Sequence, residues 1–259
     1  MPKKQNDSSW GKVASWYDAL LEKDADTYQT KVILPNLMRV LDLKPGERVI
    51  DIACGQGFFT RACRETGATV AGADISAELI TLAREQSAPE LSFYVAPAHT
   101  LGFAKDAAYD TAIIVLAIQN IEQMDATFAE ASRVLAPNGR LVLVLNHPAF
   151  RVLKHSSWGY DADTQEQYRR VDRYLSAEKV LVDMHPGQQN GEQTISYHRS
   201  LQDISKALRK NGFAIGRLEE WISHRSSEKG PRQKAEDTAR KEIPLFMMLE
   251  AVKVDQSRA

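Results

Sequence analysis

Asp51, Gly55, Gly57 and Asp74 are the residues whose types and spacing carry the most chemical meaning. They lie in two short stretches, RVIDIACGQGFFT at residues 48–60 and TVAGADIS at residues 69–76. Gly55 and Gly57 remove side chains where a ligand must approach the backbone, and Phe58 opens a helix whose free N–H groups favour an anionic group. Asp74 ends the second apolar run, where a carboxylate can accept hydrogen bonds from both hydroxyls of a ribose. Asp51 sits inside the first run, and an acid there is costly to bury unless a ligand or a backbone donor pairs with it. A dinucleotide fingerprint needs a third glycine where this chain has Thr60, so the pattern suits a ligand with a nucleoside and no pyrophosphate. Taken alone, the two glycines also fit a tight strand-to-helix turn that holds nothing.

These residues need a scaffold that brings strand ends together. Residues 44–146 alternate short apolar strands with helical patterns, the signature of a parallel sheet covered on both faces. RVIDIA, TVAGAD, LSFYVA, DTAIIVLA and RLVLVLN read as five strands. Residues 58–66, 77–86 and 125–135 read as helices, the second capped by Ser76, and Pro137-Asn138-Gly139 reads as a turn. The rhythm then changes. Within residues 147–200, KVLVDM and QTISYHR are joined by PGQQNGE, which predicts a β-hairpin insertion preceded by a short helix. A helix over residues 201–210 stopped by Gly212, the strand FAIGRLEEW and the terminal strand PLFMMLEAVKV complete the pattern. The polar stretch between those two strands, within residues 223–242, reads as a solvated loop or a lid.

With 259 residues the chain suits one large domain, here divided into an N-terminal helical cover at residues 1–43 and a main unit at 44–259. A net charge of -1 with 26% charged residues gives no bulk sign of a nucleic-acid or membrane partner. The start MPKKQNDSSWGK lacks an apolar targeting core, and no segment has the uninterrupted apolar length of a membrane span, so a cytoplasmic location is expected. Cys54 and Cys63 have no second pair and no nearby histidine, so no metal site is expected and both read as reduced.

The motifs, in this order and at this spacing, resemble the class I S-adenosylmethionine-dependent methyltransferases of the small-molecule type. VIDIACGQG is similar to the family's first motif, GADIS to its second, YDTAIIVLAIQNI to its fourth-strand motif, and RVLAPNGRLVLVLNHP to the helix, turn and fifth strand that follow. The resemblance covers roughly residues 10–150 and 195–254. It implies a Rossmann-like, doubly wound and mostly parallel α/β sheet of seven strands with an antiparallel last strand, plus the hairpin insertion after the fifth. It implies S-adenosylmethionine as cofactor, with Asp51, Ala53, Cys54, Gly55 and Gly57 around its methionine part, Asp74 on the ribose and Ile75 against the adenine. Leu116, at the end of the fourth strand, is expected to face the methyl-bearing sulfur. Relatives often carry an acid before an alanine at the end of the third strand. This chain has Pro97-Ala98, leaving the Ala98 N–H, with His99 or a water, to meet the adenine. Trp16-Tyr17-Asp18 is similar to a segment that closes over the cofactor, with Tyr17 near the sulfonium and Tyr28 and Trp10 joining the cover.

Methyl transfer is an in-line displacement whose main demand is alignment of the nucleophile. A base is needed only for an acceptor that must lose a proton. His147, directly after the fifth strand, is the candidate for that base, against a hydrogen-bonded structural histidine. Asn120 is placed to orient the acceptor or to stabilise a turn. His198 and Arg199 are expected to border the acceptor pocket, although Arg199 also has Asp203 and Glu220 as possible ion-pair partners. The expected acceptor is a small, partly apolar molecule methylated on oxygen, nitrogen or carbon. A tRNA or protein methyltransferase and a catalytically inactive cofactor-binding regulator are the alternatives. The number of subunits is left open.

Overall fold

A computed structural model describes residues 26–183 and 193–254. The chain enters through a π-helical turn, Gln29–Ile33, that runs into α1 (Leu34–Leu41). Then follow β1 (Arg48–Ile52), α2 (Phe58–Glu65), β2 (Thr69–Asp74), α3 (Ala77–Glu85), β3 (Ser92–Val95) and β4 (Tyr109–Val115). After a 3-10 turn, Ile118–Asn120, come α4 (Met124–Val134) and β5 (Leu135–Asn146). The second half holds β6 (Ser156–Asp161), β7 (Glu166–Val171), β8 (Glu178–Asp183), β9 (Gln193–His198), α5 (Leu201–Lys210), β10 (Phe213–Trp221), α6 (Gln233–Glu242) and β11 (Phe246–Lys253).

The seven-stranded sheet has the order β10-β11-β5-β4-β1-β2-β3. β1 pairs in parallel with β2 and β4, and β4 with β5; β11 lies antiparallel to both β5 and β10. This is the doubly wound sheet expected from the sequence. The central strands are apolar throughout because alternate residues feed two different cores. Ile50, Ile52, Ile114, Leu141 and Leu143 pack with Phe128 of α4 and Leu208 of α5. Val49, Ile113, Val142 and Val144 pack on the opposite face with Leu37 of α1, Cys63 of α2 and Ile80 of α3.

Local chemistry sets the helix ends. Ser76 accepts from the Leu79 N–H and caps α3. At α5, Ser200 Oγ accepts from the Asp203 N–H while the Asp203 carboxylate accepts from the Ser200 N–H, a reciprocal capping box. At the end of the sheet away from the strand C-termini, Arg140 donates to Thr111, Glu250, the Leu41 carbonyl and Glu47. One side chain therefore ties β5 to β4, β11, α1 and the approach to β1.

Three expectations need correction. The region after β5 contains two hairpins, not one: β6 pairs with β7, and β8 with β9, each as a two-stranded antiparallel sheet. The short helix expected before the hairpin is not found among the described residues, because β6 and β7 occupy that part of the chain. The polar stretch between β10 and β11 contains α6, whose buried residue is Ala239. The turn at Pro137-Asn138-Gly139 is present as an irregularity within β5: pairing with β4 shifts between Tyr109 and Thr111, and Asn138 takes a left-handed φ of 61°. The joining segment PGQQNGE, together with Trp10, Trp16, Tyr17 and Asp18, lies outside the described residues. No described helix is long and apolar enough to cross a membrane.

Candidate active site

Strand order reverses beside β1, whose neighbours are β4 on one side and β2 on the other, so a crevice opens beyond the carboxyl ends of β1 and β4. The backbone there is bent hard. Ala53 (φ 61°) and Gly55 (φ 57°) follow β1, and Leu116 (φ 53°) follows β4, all in the left-handed region. For Ala53 and Leu116 that conformation costs roughly 1 kcal/mol or more apiece, and such strain concentrates at binding sites. Gly72 in β2 has a packing reason instead: a Cβ there would lie 2.8 Å from the Phe93 ring and 2.9 Å from Cys54 Sγ. Its absence lets the turn after β1 seat against the sheet.

A cavity of about 130 Å³ fills this crevice, lined by Asp51, Ala53, Cys54, Gly55, Gln56, Phe58, Phe59, Asp74, Ile75, Leu79 and the 115–117, 120 and 121 positions. Asp74 Oδ2 accepts from the Gly55 N–H at 2.9 Å and Oδ1 from the Ser76 N–H at 2.8 Å. Each oxygen retains capacity for a further donor. Burial raises the Asp74 pKa, and the backbone donors of Ser76, Gly55 and Ile75 pull it back. Asp51 is 1% exposed and receives the Thr60 hydroxyl at 2.6 Å. Burial is the main reason its carboxyl is pushed up to about 7, with the Thr60 bond opposing and the Asp74 charge adding.

Gln56 is fixed by Arg61, which donates to its carbonyl and to its side-chain oxygen, both at 2.7 Å. That leaves Gln56 Nε2 a buried donor with no partner among the described residues. An acceptor-rich group entering the crevice would satisfy it, as the carboxylate of an amino-acid ligand does chemically.

A second cavity of about 380 Å³ opens next to the first, and Leu116 and Asn120 line both. Its walls are mostly apolar, with Ile118, Met124, Leu145, Pro148, Leu153, Val182 and Ile204, and its polar edge includes Gln119, Arg151, Ser196, His198 and Arg199. His198 Nε2 lies 2.7 Å from the Tyr174 carbonyl. Arg199 donates to the carbonyls of Ile118, Ile121 and Glu122, not to Asp203 or Glu220. It thereby pins the segment after β4 that separates the two cavities.

Eight residues singled out in the sequence meet in the first cavity: Asp51, Ala53, Cys54, Gly55, Asp74, Ile75, Leu116 and Asn120. His198 and Arg199 meet in the second. Gly57, at the N-cap of α2, stands behind the turn, where a Cβ would lie 2.9 Å from the Phe93 ring. Ala98 and His99, on the segment after β3, are not among the residues lining either cavity. Nor is Tyr28, which borders a separate polar cavity with Arg225, Arg232 and Arg240; its hydroxyl is 3.2 Å from Ser223 Oγ. His147 is 2% exposed, with Nε2 2.8 Å from Glu220 Oε1 and Nδ1 accepting from the Ala149 N–H, and it lines neither cavity. Tyr17 lies outside the described residues. Gln56, Gln119 and Arg151 went unmarked in the sequence. Gln56 had a signal, its place between two glycines, whereas Gln119 and Arg151 had none before the cavities were known.

Residues 50–143 match a family profile described as a methyltransferase domain. The seven-stranded fold agrees with that match, which marks residues 50–143 as similar to a methyltransferase domain. Over 113 residues the chain is 32% identical to the demethylmenaquinone methyltransferase of Tropheryma whipplei (strain Twist), covering 42% of this chain and 46% of that one. It is 34% identical over 109 residues to methyltransferase GfsG of Streptomyces halstedii, covering 40% and 39%. The matched stretch therefore spans less than half the length of these curated relatives. Among solved structures, an S-adenosylmethionine-dependent methyltransferase from Mesorhizobium loti superposes with a TM-score of 0.65 at 26% identity, covering 84% of this chain and 96% of that one.

Proposed function

We propose that the protein transfers a methyl group from S-adenosylmethionine to a small, partly apolar molecule. The observation that supports this is the meeting of two cavities at Leu116 and Asn120: one carries acids and an unpaired amide donor, and the other is mostly apolar. When bound, the cofactor supplies an electrophilic methyl carbon on a sulfonium.

In this reading Asp74 takes the ribose hydroxyls on the lone pairs that Gly55 and Ser76 leave free. Gln56 Nε2 takes the methionine carboxylate, and Ile75 and Leu79 give the adenine an apolar bed. Asp51, held by Thr60, offers a carboxylate toward the amino group. Asn120 orients the acceptor where the cavities join, and the apolar walls exclude water so that the nucleophile is held within about 3–3.5 Å of its target. No side chain has to do more than position, because alignment supplies most of the rate in such a displacement.

The test is isothermal titration with S-adenosylhomocysteine, followed by methyl transfer from labelled S-adenosylmethionine. Asp74→Ala should weaken binding by about tenfold or more, the worth of charge-assisted hydrogen bonds. Wild-type protein that shows no affinity would end the reading, and unchanged affinity in the variant would end the ribose assignment.

A further inference from the structure

The charges around the second cavity are lopsided. Arg151 and Arg199 line it, and Asp183 is the acid facing them. Asp183 already accepts from Gln193 Nε2 at 2.8 Å. Arg199 is spent on three carbonyls, and His198 on one. Arg151 differs from both. Its backbone N–H donates to the His147 carbonyl, but its guanidinium makes no hydrogen bond or ion pair with any described residue.

Its surroundings sharpen the point. Arg169 stands close enough to repel it, and donates to the Phe150 carbonyl at 2.9 Å and to Ser156 Oγ at 2.7 Å, neither of them an anion. Arg151 is exposed, so its side chain reaches solvent at the cavity mouth, while partial desolvation by the packing around it lowers its pKa, with Tyr28 opposing. The Arg151 guanidinium thus keeps its donors free at the cavity wall beside a second guanidinium, and a ligand anion there would meet an excess of positive charge. The guanidinium fork is also the side-chain geometry best matched to two oxygens of one acid group.

We infer that the methyl acceptor carries an anionic group, a carboxylate or a phosphate, remote from the methylated atom and held by Arg151. The acceptor then spans the cavity, with its acid at Arg151 and its nucleophile at the junction by Leu116 and Asn120. This rests on the methyl-transfer reading above and narrows its substrate class from partly apolar molecules to amphipathic acids.

The experiment incubates the full chain with S-(methyl-d3)-adenosylmethionine and a small-molecule extract of the cells that encode it. Labelled products are sorted on an anion exchanger at pH 8. The expected label lies in compounds that the exchanger retains. Retention that survives phosphatase identifies a carboxylate, and retention lost to it identifies a phosphate ester. Arg151→Met should lower transfer about tenfold or more through KM, Arg151→Lys should restore part of it, and S-adenosylhomocysteine affinity should stay unchanged because Arg151 is not a lining residue of the first cavity. Label found only in neutral products, methyl esters included, overturns the inference. So does an Arg151→Met variant as active as the wild type. If the cofactor binds and no compound is labelled, the methyl-transfer reading itself fails and the inference falls with it.

Discussion

The Thr60 hydroxyl donates to Asp51 Oδ2 at 2.6 Å, joining the first turn of α2 to the end of β1 beneath the glycine turn. Thr60 is the residue that spoils a dinucleotide fingerprint, and the bond gives it a purpose: it partners an acid that is almost wholly enclosed.

That enclosure predicts an unusual pH dependence. The folded carboxyl is raised to about 7 from an ordinary 3.8, mainly by burial. A raised folded pKa contributes stability that is complete below the ordinary value and is lost as pH rises through the folded one. Urea unfolding of the ligand-free protein should show the Asp51 share declining between roughly pH 4 and 7, bounded at roughly 4 kcal/mol. Asp51→Asn should flatten that decline. Thr60→Val, which removes the bond opposing the shift, should cost about 1–3 kcal/mol and extend the decline to higher pH, its onset staying at the unfolded pKa. Parallel curves for wild type and Asp51→Asn would show that the group does not titrate this way.

His147 gives the opposite sign. Burial is the main influence on it and lowers its pKa, with Glu220 opposing. A lowered folded pKa contributes stability present above the ordinary histidine value and lost as pH falls. His147→Gln should therefore reduce the protein's acid sensitivity. It should leave the pH profile of methyl transfer alone, because His147 lines neither cavity. Loss of the acid limb from the rate profile, the fall in rate at low pH that a general base produces, would return it to the role of base.

Ala53 offers a gain. Its φ of 61° is a conformation that glycine adopts without steric cost. Ala53→Gly should raise the urea midpoint by an amount equivalent to about 1 kcal/mol, less the entropy that glycine adds to the unfolded chain. A midpoint below that of the wild type would mean that the alanine methyl matters more than the strain.

Arg140 separates stability from function. It lies at the opposite end of the sheet from both cavities and bridges four elements. Arg140→Met should cost roughly 2–3 kcal/mol by stranding Glu47 and Glu250, with S-adenosylhomocysteine affinity unchanged in protein that remains folded. A weakened affinity at full folding would show that the two ends communicate.

The sheet was readable because β1, β4 and β5 bury both faces, and that demands apolar runs which few other elements tolerate. The elements that escaped lack such a demand. α6, QKAEDTARKE, has one buried residue, so it shows no apolar stripe to distinguish it from a polar loop. β6 and β7, SSWGYD and EQYRRV, bury none of their residues, and Tyr168 instead crosses over Gly159, a contact that alternation does not announce. At the site, residues fixed by the backbone were legible, because glycines and strand-end acids have positional meaning. Gln119 and Arg151 were not, since their importance comes from the cavity that distant segments form around them.

Leu116 and Asn120 stand as a partition with a chamber on either side, and Arg199 braces it from behind. On the proposed methyl-transfer reading, trimming that partition to admit a bulkier acceptor would also loosen the grip on the donor, so the two specificities are not free to evolve independently there. Changes of acceptor range should instead accumulate at the far walls, around Arg151, Leu153 and Val182, where the chain can be rewritten without disturbing the methyl donor's berth.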